Sequence, residues 1–126
     1  MSITTAYLAA LEASDVDAVT ALFAPDGVVV SPLYGTNPAR EFYEALFADS
    51  ESSRLTLLGT TAGTSVAGAE LLTIWFHFDW TLRDGTAAPF DVVDVLELRD
   101  GLITTLHILY DTSPLRADFD RSRTAT

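Results

Sequence analysis

The chain has 126 residues, nearly half of them apolar, enough for one compact domain with a sizeable core and too apolar for a disordered chain. Eighteen acidic residues stand against seven basic ones, all arginine, for a formal charge of −11; such a surface repels phosphate backbones, so nucleic acid is not an expected partner, and solubility is the plain reading of the acidity. Cysteine is absent, which excludes disulfides, thiolate nucleophiles and cysteine metal sites, and no apolar run approaches the roughly 20 residues of a membrane span.

Met1 to Thr5 lacks a basic segment followed by an apolar one, so nothing marks the chain for secretion and a cytoplasmic protein is expected. Ile3, Tyr7, Ala10 and Leu11 recur at helical spacing and predict a first helix. Ser14, with Asp17 three residues on, reads as the N-cap of a second helix carrying Val16, Val19, Leu22 and Phe23, which Pro25-Asp26-Gly27 ends. The β-branched Val28 to Val30 predicts a short strand closed by Ser31-Pro32. Leu33 to Thr36 reads as a loop, and Asn37-Pro38 as the cap and first residue of a third helix with Phe42, Leu46 and Phe47 on one side.

Strands are expected over Arg54 to Thr61 and Glu70 to Leu82, with a small, flexible stretch between them. Two Asp-Gly turns follow, at Asp84-Gly85 and Asp100-Gly101, and the second folds Phe90 to Tyr110 into a hairpin. The tail from about residue 116 to residue 126 is polar and expected to fray. Early helices and a late run of strands predict a single α+β domain, three N-terminal helices packed on a curved, mainly antiparallel sheet with a pocket between the layers.

One residue of the hairpin does not suit a plain core. Phe90, Val92, Asp94, Leu96 and Leu98 share a face by alternation, so Asp94 is a carboxylate among hydrocarbon side chains. Unpaired, it would cost several kcal/mol or take up a proton.

Several segments together resemble the NTF2-like superfamily, in its ketosteroid isomerase-like and SnoaL-like polyketide cyclase branches. They are Tyr7 to Leu11 with Ser14 to Val19, then Leu22 to Val28, Ser31-Pro32 with Gly35, and Asp91 to Val95 through Gly101-Leu102-Ile103 to Tyr110-Asp111. The resemblance implies a cone-shaped fold over about Thr5 to Pro114. It places the isomerase's hydrogen-bonding tyrosine at Tyr7 and its protonated aspartic acid at Asp94. The isomerase's base does not carry over: its position is Ser31, and a neutral hydroxyl is no proton acceptor near neutral pH.

Alternation leaves open which face of the long strand looks inward, Trp75, His77 and Asp79 or Phe76, Phe78 and Trp80. The resemblance implies the first set, with His77 assisted by Asp79 moving the proton. It also puts Ser31, Trp75, Phe90, Val92, Leu106, Ile108 and Tyr110 on the pocket wall and His107 on the outer face. Phe76, Phe78, Trp80, Val93, Val95 and Leu109 would then form an apolar outer face, and a homodimer through it is expected.

No histidine pair or acidic neighbour has metal-ligand spacing, so neither metal nor cofactor is expected. Asp111 reads as a turn cap. The expected function is a pocket-forming enzyme of isomerase, cyclase or lyase type, acting by general acid-base chemistry on an apolar carbonyl compound. Its competitor is a non-catalytic dimeric ligand-binding or accessory module of the same fold.

Overall fold

The computed structural model describes residues 2–124. Helix α1 (Ile3–Glu12) starts at Ser2, whose hydroxyl accepts from the Thr5 amide. Helix α2 (Val16–Thr20) is capped by Asp15, which accepts from the Ala18 amide at 3.0 Å, and not by Ser14. Ser14 instead takes φ +51° in the turn between the two helices. Helix α2 is shorter than its apolar spacing implied, because Phe23 opens strand β1 (Phe23–Ser31).

The expected loop contains strand β2 (Gly35–Pro38), paired antiparallel to β1. Asn37 lies in that strand and its amide donates to the Tyr34 carbonyl. Helix α3 (Ala39–Ala48) therefore begins one residue later than expected, with Pro38 at its N-cap. The long strands β3 (Ser50–Thr64) and β4 (Glu70–Leu82) follow, so the stretch of small residues at Ala62 to Thr64 is ladder and not flexible linker. Strands β5 (Phe90–Arg99) and β6 (Leu102–Leu109) complete a six-stranded sheet of order β2-β1-β6-β5-β4-β3. Among the described residues only the β1–β6 pairing is parallel.

The β5–β6 turn follows its sequence signature. Asp100 and Gly101 have φ of +54° and +80°, the two left-handed positions that a tight hairpin needs. The β4–β5 connection also turns at Asp84-Gly85, but with a loop of three residues and not two: Gly85, at φ +89°, donates to the Leu82 carbonyl at 2.8 Å, the Leu82 amide donates to the Thr86 carbonyl, and the ladder continues through Thr81–Ala87 and the bond from the Ala88 amide to the Trp80 carbonyl.

That longer connection changes the face of β4. Ile74 lies opposite Asp94, Phe76 opposite Val92 and Phe78 opposite Phe90, and opposed residues of an antiparallel pair share a face. Ile74, Phe76, Phe78, Trp80 and Leu82 are all buried with the core, while Trp75, His77 and Asp79 look outward. The inward placement of Trp75, His77 and Asp79 is thus corrected, and Phe76, Phe78 and Trp80 leave the outer face.

The tail is also corrected. Residues Arg116–Thr124 form helix α4, on which Phe119 and Ser122 are buried together with the preceding Leu115. Phe119 is 1% exposed and wedges between the rings of Tyr34 and Trp80, at centroid distances of 5.3 and 5.9 Å. Arg83 donates to the carbonyls of Ser122 and Arg123, which would otherwise be unsatisfied at the helix end. Arg123 in turn pairs with Asp49 at 3.5 Å.

Phe119→Ala is expected to lower unfolding free energy by about 3 to 5 kcal/mol. Urea unfolding monitored at Trp80 measures it; a loss below about 1 kcal/mol would mean that α4 is not packed as described.

Candidate active site

Helices α1 and α3 lie against the inner face of β4 to β6, and the chain leaves a narrow cavity of about 30 Å³ between them. Nine of its fifteen lining residues are aromatic, and none is a lysine, arginine or histidine. Among the described residues its one lining carboxyl is Asp94, from the middle of β5.

Asp94 is 2% exposed. Tyr7 of α1 donates its hydroxyl proton to Asp94 Oδ2 at 3.0 Å. That proton being used, the 2.9 Å contact between the Tyr7 and Tyr43 hydroxyls has Tyr43 of α3 as donor. The other oxygen, Oδ1, is buried without a protein partner. Desolvation drives the carboxyl up to about 7, against the opposing pull of the Tyr7 hydrogen bond. Burial, together with the Asp94 charge, pushes both phenols well above their ordinary range, so Tyr7 and Tyr43 remain protonated donors.

Ser31, Phe90, Val92, Ile108 and Tyr110 lie on the cavity wall with Tyr7 and Asp94. Ser31 Oγ accepts from the amides of Leu33 and Tyr34 at 3.2 and 3.1 Å, which closes the turn after β1. Leu106 is fully buried in the core and does not reach the wall. His77 is on the far side of the sheet, its Nδ1 2.7 Å from Asp91 Oδ1, and Asp79 is exposed beside it. Neither can reach a molecule held at Asp94. His107 is on that same outer face, paired with Glu97 at 2.7 Å.

Tyr43 was missed in the sequence, although the spacing of Ala39, Phe42, Tyr43 and Leu46 is a helical stripe and all four are buried. Tyr34 was missed because a loop residue has no periodicity to betray it. Its hydroxyl donates to the nearly buried Asp49 at 2.7 Å, and the Arg123 guanidinium sits 5.7 Å over its ring. Burial and the Asp49 bond raise the Tyr34 phenol. Through Tyr34, α4 is tied to the cavity wall.

Fold and cavity together define a cone-shaped α+β protein with a pocket between its helices and its sheet. The chain belongs to the SnoaL-like domain family, whose model matches residues 4–106, within the NTF2-like superfamily. TerC co-crystallized with polyporic acid is similar in structure, with 20% identity, coverage of 92% of this chain and 94% of that one, and a TM-score of 0.76. A Catenulispora acidiphila protein with a ketosteroid isomerase-like fold, in complex with trimethylamine, has 25% identity, coverage of 98% and 97%, and a TM-score of 0.72. An NTF2-like protein of unknown function from Burkholderia pseudomallei has 20% identity, coverage of 99% and 100%, and a TM-score of 0.73. No curated protein sequence matches.

The raised Asp94 carboxyl has a consequence for stability. Between its ordinary value near 4 and about 7, the folded protein holds a proton that the unfolded chain has released, so stability falls as pH rises through that window. Asp94→Asn removes the effect, and the variant is expected to gain about 3 kcal/mol on wild type between about pH 5 and about pH 8. Urea unfolding of both proteins at the two pH values checks this; a difference independent of pH would show that Asp94 takes up no proton on folding.

Proposed function

We propose that the protein is a small-molecule enzyme of isomerase or cyclase type, acting on an apolar carbonyl compound, with Asp94 as its one proton-transfer group. The observation that carries this reading is the buried Asp94 carboxyl on the wall of an aromatic cavity, Oδ2 held by Tyr7 and Oδ1 without a protein partner. A carboxyl near 7 is close to half ionised at neutral pH. Its ionised form takes a proton from carbon beside a carbonyl; its protonated form returns the proton or donates a hydrogen bond to the enolate oxygen. Tyr7 is a positioning residue whose bond fixes the carboxyl plane, and Tyr43 fixes Tyr7. Asp94 thus takes the role that the sequence suggested for His77, and Ser31 shapes the wall without acting as base.

A non-catalytic ligand-binding module is the second reading, favoured by the lack, among the described residues, of a second carboxyl or any histidine, lysine or arginine on the cavity wall. Structural neighbours that hold polyporic acid and trimethylamine support a pocket for small organic molecules under either reading.

Proton-deuterium exchange of small cyclic ketones in D2O, followed by NMR, separates the two. Wild type is expected to accelerate exchange, and Asp94→Asn to lose at least about 100-fold of that acceleration. Exchange at the buffer rate with wild type, in the presence of demonstrated ketone binding, would select the binding module.

A homodimer through the outer sheet face is part of the same proposal. Trp75, Val93 and Leu109 stand in one cross-strand row there, with Trp75 48% and Leu109 56% exposed. Sedimentation equilibrium should give twice 13.6 kDa, and Trp75→Glu should give the monomer. A wild-type monomer at micromolar concentration would remove the dimer while leaving the cavity chemistry intact.

A further inference from the structure

As it stands the cavity is too small for a cyclic ligand. A benzene ring is held by a cavity of roughly 150 Å³, and this one measures about 30 Å³. Some part of the wall must move before a ring can enter. Thirteen of the fifteen lining residues belong to α1, α3 or strands of the sheet. The two outside regular structure are Tyr34, in the turn between β1 and β2, and Tyr110, just beyond β6.

Both are tied to helix α4. Its first residue, Arg116, donates to the Pro32 carbonyl of the Tyr34 turn at 3.2 Å. Phe119 packs edge-on against the Tyr34 ring, and Arg123 lies over the same ring while pairing with Asp49, the acceptor of the Tyr34 hydroxyl. Tyr110 leads into α4 through residues 111–115. Gly35, at φ +77°, follows Tyr34 and gives its turn a residue free to change conformation.

The helix itself is lightly held. Nine residues are too few for a helix to persist alone in water, and the apolar side chains that bury it are Leu115 and Phe119. Its remaining ties are polar. Arg83 donates to the Ser122 and Arg123 carbonyls and Arg123 pairs with Asp49, with the two arginine side chains 38% and 49% exposed, where water competes. Ser122 Oγ is buried without a partner among the described residues, and release would return it to water.

We propose that α4 is a gate: its release lets Tyr34 and Tyr110 move outward and enlarges the cavity, so that ligand binding and α4 undocking are one equilibrium. The gate presupposes that this cavity is the ligand site, as proposed above, and calls on neither Asp94 nor turnover. A ligand that binds only the open form holds α4 away, and its apparent affinity scales with the open fraction. Any change that favours the open form raises affinity by the same factor.

The chain has no cysteine, so Ser122→Cys gives α4 a single buried thiol whose labelling by dithionitrobenzoate follows the open fraction. Benzene is the probe, since it fills an apolar cavity without engaging Asp94. Saturating benzene is expected to speed labelling at least about tenfold. Arg83→Ala and Arg116→Ala, each checked for folding by circular dichroism, are expected to speed labelling without benzene and to tighten benzene binding in calorimetry by a matching factor, within about twofold. Benzene binding that leaves labelling unchanged would overturn the gate, as would variants that label faster with no gain in affinity, or a chain that takes no benzene in any variant. Absence of ketone exchange while the benzene results hold would remove the acid-base reading alone, so the two failures are distinguishable.

Discussion

The hydrogen bond from Tyr7 to Asp94 is the contact on which the site depends. It joins the first helix to the middle of the sheet through the core and is the one protein bond made by a carboxyl that is otherwise cut off from solvent. Burying a carboxyl in hydrocarbon is unfavourable unless it is protonated or paired. Here the pairing is half complete. One oxygen is satisfied and the other is not, in a carboxyl that lies on the cavity wall.

The rest of the structure serves that placement. The β5–β6 hairpin carries Asp94 at mid-strand, where Ile74 and Ile108 flank it on the neighbouring strands and exclude water. Helix α3 contributes Tyr43, which fixes the hydroxyl direction of Tyr7. Helix α4 acts at one remove: Phe119 supports Tyr34 and Trp80, both on the cavity wall, while Arg123 and Arg83 hold the helix end against Asp49 and its own carbonyls. Removing α4 would therefore loosen the wall without touching Asp94.

Most of the architecture was legible where local chemistry decides it. Asp100-Gly101 fixes the register of β5 against β6, and alternation then places Asp94 inward, because one hairpin turn and a period of two leave no freedom. The same logic failed one strand earlier. Asp84-Gly85 resembles a two-residue turn, but Gly85 donates to the Leu82 carbonyl and Leu82 to that of Thr86, so the loop has three residues, Arg83 to Gly85. An offset of one residue there exchanges His77 for Phe76 and Phe78. Aromatic burial decided the outcome, since three large rings inside are worth more than an ion pair that water serves nearly as well. The tail was misread for a related reason. Leu115, Phe119 and Ser122 have helical spacing, but the charged residues between them dilute the signal until Arg83 and Asp49, distant in sequence, supply partners.

His77 and Asp94 show how placement and not residue type determines chemistry. Histidine is the ordinary base near neutral pH, yet His77 is a surface residue with its Nδ1 2.7 Å from Asp91 Oδ1 and has no route to the cavity. Aspartate is ordinarily too acidic for that work, yet desolvation brings Asp94 up to about 7. The free energy that burial takes from folding is held in a carboxyl poised between two protonation states. A partner for the carboxyl chooses between them: an acceptor favours the protonated form, and a donor favours the ionised one. A single buried side chain can thus serve as donor or as acceptor, with pH selecting which of the two it is.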